Sequence, residues 1–126
     1  MKIVLAIALG GATGAVLRHL TAQFVQQTMP GDFPWGILAV NIIGCAIMGA
    51  LVESFALAWS PSAAMRAFLT VGMLGALTTF SAFSVDVVLM IERGAWAIAG
   101  GYIVASVLLS VGAMLGAMAI VRGALV

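Results

Sequence analysis

Residues Gly72–Ser84 read GMLGALTTFSAFS and decide how the chain is understood, because they interrupt apolar membrane sequence with polar, glycine-containing sequence. The stretch holds two glycines, four hydroxyls and two phenylalanines, between the apolar runs Ala67–Val71 and Val87–Ile91. No water at bilayer depth satisfies freed backbone groups, so irregular backbone survives there only when buried in protein or lining a wet cavity. The pattern predicts a discontinuous helix, and a discontinuous helix marks a candidate ion or substrate site.

Composition sets the class. Of 126 residues, 64% are hydrophobic and 7% charged, against roughly 25% charged in soluble domains. The chain reads as an all-α integral membrane protein, a single transmembrane domain over residues 1–126 with room for four spans of about 20 residues and little else. Lys2 and the apolar run Ile3–Leu17 imitate a signal peptide, but three further apolar segments follow and the run is read as the first span. The single cysteine, Cys45, cannot form an intrachain disulfide or build a metal site alone, and reads as a small packing residue. A net charge of +1 gives no reason to expect a nucleic-acid partner.

The first span is placed at about 3–25, with Ala6, Gly10, Gly14 and Arg18 on one face, where small residues permit close helix approach. Arg18 sits late in the helix, where its charge must snorkel, pair or face an aqueous vestibule; His19 reads as interfacial. Pro30, Gly31, Asp32 and Pro34 form a loop, and Trp35 marks the interface at which the next helix enters. The second span, about 35–59, stacks Asn41, Cys45, Gly49 and Glu53 at successive fourth positions. Asn41 is either an interhelical hydrogen-bonding residue or, together with the third span, a ligand for a transported species. The role of Glu53 is open.

The third span, about 63–92, is about 45 Å long as one helix and exceeds a hydrocarbon core of roughly 30 Å, which suits an unwound middle. Phe80 and Phe83 share a face if helical, beside Thr78, Ser81 and Ser84. Asp86, Glu92 and Arg93 read as an interfacial cluster. The fourth span, about 95–121, carries Tyr102, Ser106 and Ser110 as a hydroxyl stripe, then Gly112 and Gly116. These four spans put Lys2, Arg66 and Arg122 on one side and Arg18 and Arg93 on the other. Three against two is no bias by the positive-inside rule, the pattern of a chain inserted in both orientations. Together with the thin wall of four helices, it predicts an antiparallel, dual-topology homodimer.

GGATGAVLR (Gly10–Arg18), PWGILAVNIIG (Pro34–Gly44), GALTTFSAFS (Gly75–Ser84) and the Tyr102, Ser106, Ser110 stripe resemble the fluoride channels called Fluc or CrcB, over nearly the whole chain. The resemblance implies a dual-topology dimer with two antiparallel pores, in a bacterial plasma or inner membrane, exporting fluoride passively and so lowering its cytoplasmic toxicity. It further implies a structural sodium at the dimer centre, held by carbonyls of Gly75 and Thr78 from both subunits. Phe80 and Phe83 would line the pores, with Asn41, Ser81, Tyr102, Ser106 and Ser110 as polar partners. Two positions depart from the family pattern: Ala76 stands where many relatives have glycine, and Met114 continues the stripe where some have threonine.

Residue chemistry agrees with that implication. A pore for a strongly hydrated anion must replace its water with donors yet not hold it tightly, and neutral amides, hydroxyls and positive ring edges do this where a lysine would trap the ion. Arg18 serves to draw anions towards a vestibule. The alternative from another class is a small multidrug-resistance-type proton-coupled exporter, which needs a carboxylate deep in its first helix; Ile3–Leu17 contains none. A purely structural membrane subunit leaves the broken span unexplained. An enzyme is not expected, since no nucleophile, base and orienting group cluster.

Overall fold

The computed structural model describes residues Met1–Val126. It is all-helical, with four segments long and apolar enough to cross a membrane: Lys2–Thr28, Trp35–Leu57, Ala63–Glu92 and Trp96–Leu125. The first, second and fourth are the single helices α1 (Lys2–Thr28), α2 (Trp35–Leu57) and α6 (Trp96–Leu125). Each extends to within a few residues of the bounds expected from composition; α1 and α6 run longer, staying helical through the polar Gln26–Thr28 and through Arg122–Leu125. The chain is a multi-pass membrane protein, and Leu9, Leu108, Leu115 and Ile120 point outward, where lipid takes the place of water.

The third span is composite. Ser62 caps its start, its hydroxyl accepting from Met65 N at 3.2 Å. A turn of α-helix, α3 (Ala63–Arg66), leads into π-helix over Ala67–Leu74, then into α4 (Gly75–Leu77). Two extended residues follow before α5 (Phe80–Glu92). The break is confirmed, but not at the glycines. Gly72 and Gly75 stay helical, and the interruption falls on Thr78 and Thr79.

The glycines serve contact instead. A Cβ on Gly10 would strike the Phe68 carbonyl oxygen and come within 2.9 Å of Met73 N, and one on Gly14 would strike the Met73 carbonyl. The face Gly10–Gly14 is thus consumed inside the subunit, where α1 packs backbone-to-backbone on the π-helical stretch. Such stretches are rare and collect at functional sites. At one end of the bundle Leu38, Phe83, Met90, Ala99 and Tyr102 form the buried apolar cluster, with Phe33 edge-on to Tyr102 at 5.4 Å. Gln26 closes the first loop there, donating to Phe33 O at 2.9 Å and accepting from Gly36 N at 3.1 Å.

At the other end, Glu53 is no longer unassigned. Its Oε1 accepts from Arg122 Nε at 2.7 Å, tying α2 to the end of α6, and Arg66 lies 5.0 Å over the Phe55 ring nearby in sequence. Of the expected interfacial cluster, Asp86 and Arg93 share a small pocket of about 150 Å³ with Asp32, and Glu92 does not line it. Gly14→Ala should cost about 1–3 kcal/mol through overpacking against fixed backbone. Gly11→Ala, with nothing within 4 Å of the added carbon, should cost under about 0.5 kcal/mol. Unfolding of the two variants in detergent checks the contrast.

Candidate ion pathway

Extended backbone within a span forfeits helical hydrogen bonds, and here one side chain replaces them. Thr79 N–H donates to Asn41 Oδ1 at 2.8 Å, and Asn41 Nδ2 donates to the Thr79 carbonyl at 3.1 Å. The asparagine amide pairs with both backbone groups of Thr79, as a neighbouring strand would. The two threonines finish the junction. Thr78 Oγ1 donates to Leu74 O at 3.0 Å, and Thr79 Oγ1 caps α5 by accepting from Ala82 N at 3.1 Å. Ser81 Oγ lies 3.2 Å from Thr79 Oγ1.

These substitutions have a consequence for two carbonyls. In an unbroken helix the Thr79 amide would serve Gly75 O, and the Ala82 amide would serve Thr78 O. Both donors are diverted to Asn41 and Thr79. Gly75 and Thr78 therefore present carbonyl oxygens without their helical partners, a donor set suited to a hard cation.

Beside the break opens a groove of about 410 Å³. α2 contributes Asn41 and Cys45, the junction contributes Gly75, Thr78 and Thr79, α5 contributes Phe80 and Phe83, and α6 contributes Ser106, Val107 and Ser110. No charged side chain lines it. The Phe80 and Phe83 rings are 5.3 Å apart and tilted by 48°. Phe83 is buried against Tyr102, whereas Phe80 is 78% exposed at the groove.

The two serines are the unusual members. Hydroxyls in membrane helices commonly bond back to their own helix, and Thr13, Ser54, Thr70 and Ser84 all donate to the carbonyl four residues earlier. Ser106 and Ser110 do not; both oxygens are buried with no hydrogen-bond partner. Leaving such a group unpaired costs about 1–3 kcal/mol. Two such groups fall on one stripe, and both residues line the groove.

Seven of the residues singled out in the sequence thus meet in one groove: Asn41, Gly75, Thr78, Phe80, Phe83, Ser106 and Ser110. Three lie outside its lining. Tyr102 is fully buried and its hydroxyl donates to Asp86 Oδ2 at 3.2 Å. Ser81 stands beside Thr79, and Arg18 sits half-buried on α1 with no acidic partner. Met114 explains where the stripe stops: a Cβ on Gly49 would strike its carbonyl oxygen, so α2 and α6 are sealed backbone-to-backbone just past Ser110. Three groove residues escaped the sequence reading, and Val107, an apolar residue of an apolar span, carried no signal. Cys45 had the signal of its spacing from Asn41, and Thr79 that of a hydroxyl three residues before a helical amide.

Comparison with known proteins gives one family over nearly the whole chain. Residues 5–118 match the family model described as CrcB-like protein, Camphor Resistance (CrcB). The chain is 46% identical over 124 residues to a "Fluoride-specific ion channel FluC" of Rhodospirillum centenum, covering 98% of each chain. It is 47% identical over 117 residues to a protein of the same name from Rhizobium etli, covering 92% of this chain and 93% of the relative. A "Fluoride-specific ion channel FluC 1" of Nitrobacter hamburgensis is 45% identical over 119 residues, 94% of each chain.

Asn41→Ala should leave both Thr79 backbone groups unpaired, at about 1–3 kcal/mol each. Equal stability of the alanine variant and the parent in a detergent melt would show that the junction does not rest on this amide.

Proposed function

The chain belongs to the CrcB family, and on that premise we propose that it is a fluoride-specific ion channel that lets fluoride leave the cell passively, with the groove between α2, the broken third span and α6 as its path. The observation that carries this reading is the pair of unpartnered hydroxyls, Ser106 and Ser110, in a groove with no charged wall.

Fluoride is small and strongly hydrated, and its passage needs donors that replace water without a full charge to hold it. Asn41 spends one N–H on Thr79 and retains the second. Ser106 and Ser110 each have a hydroxyl proton to give. Phe80 and Phe83 offer ring edges, which carry the positive part of the aromatic quadrupole. Ser81 and Tyr102 act from beside the groove, Ser81 through the Thr79 hydroxyl and Tyr102 by packing its ring on Phe83. Arg18 is the vestibule residue, drawing anions to the entrance through its field. Proton-coupled exchange is disfavoured because α1 carries no acid and Glu53 is committed to Arg122.

The working unit is an antiparallel homodimer of two oppositely inserted copies, with two pores. The exposed Phe80 and the open side of the groove support this, since an inverted partner both covers them and completes the wall. The even charge balance supports it too. The carbonyls of Gly75 and Thr78, from both copies, would hold a structural sodium at the dimer centre. When bound, it supplies the positive charge that their missing amide donors do not. The site of action is the plasma or inner membrane of a bacterium.

In proteoliposomes read with a fluoride electrode, the parent chain should release fluoride and retain chloride and a lipophilic amine. Phe80→Ile, Phe83→Ile and the double change Ser106→Ala with Ser110→Ala should each lower efflux at least about tenfold, the loss of about 1.4 kcal/mol or more of stabilisation along the path. Unchanged flux in the double serine variant would remove the groove from the pathway. Replacing sodium with N-methylglucamine should weaken the dimer in size-exclusion chromatography, whereas C-terminal tags all found on one side of the membrane would exclude the antiparallel arrangement.

A further inference from the structure

At Gly10, Gly14, Gly36, Gly49 and Gly72 the atom nearest an added Cβ belongs to the main chain of another helix. Gly44 on α2 differs, because the nearest atoms there are all side chain. A Cβ on Gly44 would strike the Cγ2 methyl of Thr78, with Leu77 Cδ2 next at 3.6 Å and Thr78 Cβ at 3.8 Å. The missing side chain at position 44 is thus a hollow in α2 that one methyl of the third-span break fills.

That methyl cannot be moved freely. Thr78 is β-branched, and its Oγ1 donates to Leu74 O at 3.0 Å, so turning the side chain to relocate the methyl gives up that bond. The residue is extended, at φ −81° and ψ 152°, and its own carbonyl lacks the Ala82 amide, which Thr79 Oγ1 takes instead. Asn41, about one helical turn before Gly44, holds Thr79 through both backbone groups. α2 therefore grips the break at two successive residues, Thr79 by hydrogen bonds and Thr78 by shape.

We propose that Gly44 is a positioning residue, whose hollow fixes Thr78 so that the Thr78 carbonyl is presented, with that of Gly75, to a bound sodium. The inference rests on the reading that these carbonyls hold that ion. Gly44→Ala forces one of two responses: Thr78 turns off Leu74, or α2 backs away and draws Asn41 from Thr79. Either loosens the residue that supplies the carbonyl. Thr78→Ser is the complement of that change, since it keeps the hydroxyl and removes the methyl. The nearest contacts left to a Cβ at position 44 are then those at 3.6 and 3.8 Å, ordinary van der Waals distances.

The test follows thermal unfolding of the purified chain in detergent over a series of sodium concentrations, with N-methylglucamine holding ionic strength constant. The parent, Gly44→Ala, Thr78→Ser and the double variant are compared. A ligand bound only by the folded chain raises the melting temperature once its concentration passes the dissociation constant, so the sodium concentration at which the rise begins reports affinity. Gly44→Ala should move that concentration up at least about tenfold, the usual cost of losing a group that orients a metal ligand. Thr78→Ser alone should stay near the parent, and the double variant should return to it. If Gly44→Ala does not fold, a double variant that folds and responds to sodium like the parent carries the same result. Three results overturn the proposal: a melting temperature lowered by the same amount at every sodium concentration in Gly44→Ala, a Gly44→Ala indistinguishable from the parent, or a double variant no better than Gly44→Ala. A parent whose melting ignores sodium refutes the cation reading itself, and this inference with it.

Discussion

The Asn41 amide pairing with both backbone groups of Thr79 is the interaction on which the rest depends. A break in a membrane span is costly because lipid cannot satisfy the exposed amide and carbonyl. Asn41 meets that demand from another helix, at 2.8 and 3.1 Å. The interruption is thereby held at one residue and one angle. α5 then starts with its own cap from Thr79, and Phe80 and Phe83 take their places at the groove.

That arrangement explains why the groove is polar but neutral. The carbonyls of Gly75 and Thr78 lose their helical donors because Asn41 and Thr79 have taken them, and Ser106 and Ser110 keep hydroxyls of the kind that Thr78 and Ser84 spend on their own helix. Unspent hydrogen bonds are the resource an anion needs when it sheds water. Full charges are kept away from the groove: Glu53 is matched with Arg122 beyond the Gly49–Met114 seal, and Asp86 is occupied by Tyr102. A charge of either sign in the wall would convert a passage into a trap or a barrier.

Glycine works here chiefly by removing side chains from contact faces. Gly10 and Gly14 let α1 lie against the π-helical stretch, and Gly49 lets α2 and α6 close below Ser110. With these contacts used internally, the open side of the groove and Phe80 remain the unpartnered polar-aromatic surface. A single copy is thus well packed around its helices and incomplete around its groove.

The helices, their number and their immersion in lipid follow from the chain's own composition, because span length and apolarity are local quantities that no partner needs to supply. So does the presence of an interruption in the third span, and the likeness to fluoride channels, which motif spacing carries. The tertiary structure decided where the interruption falls. Glycine content pointed across Gly72–Ser84, yet two threonines took the extended conformation, because only at Thr79 does a residue from α2 reach the backbone. It also decided how the hydroxyls are used: Tyr102, Ser106 and Ser110 are equivalent in spacing, but Asp86 claims the first, the third has the Cys45 thiol beside it, and Ser106 stands alone. Cys45 and Glu53 gained their surroundings in the same way. Whether a polar group is spent or available depends on what another helix places beside it, and one-dimensional spacing does not contain that.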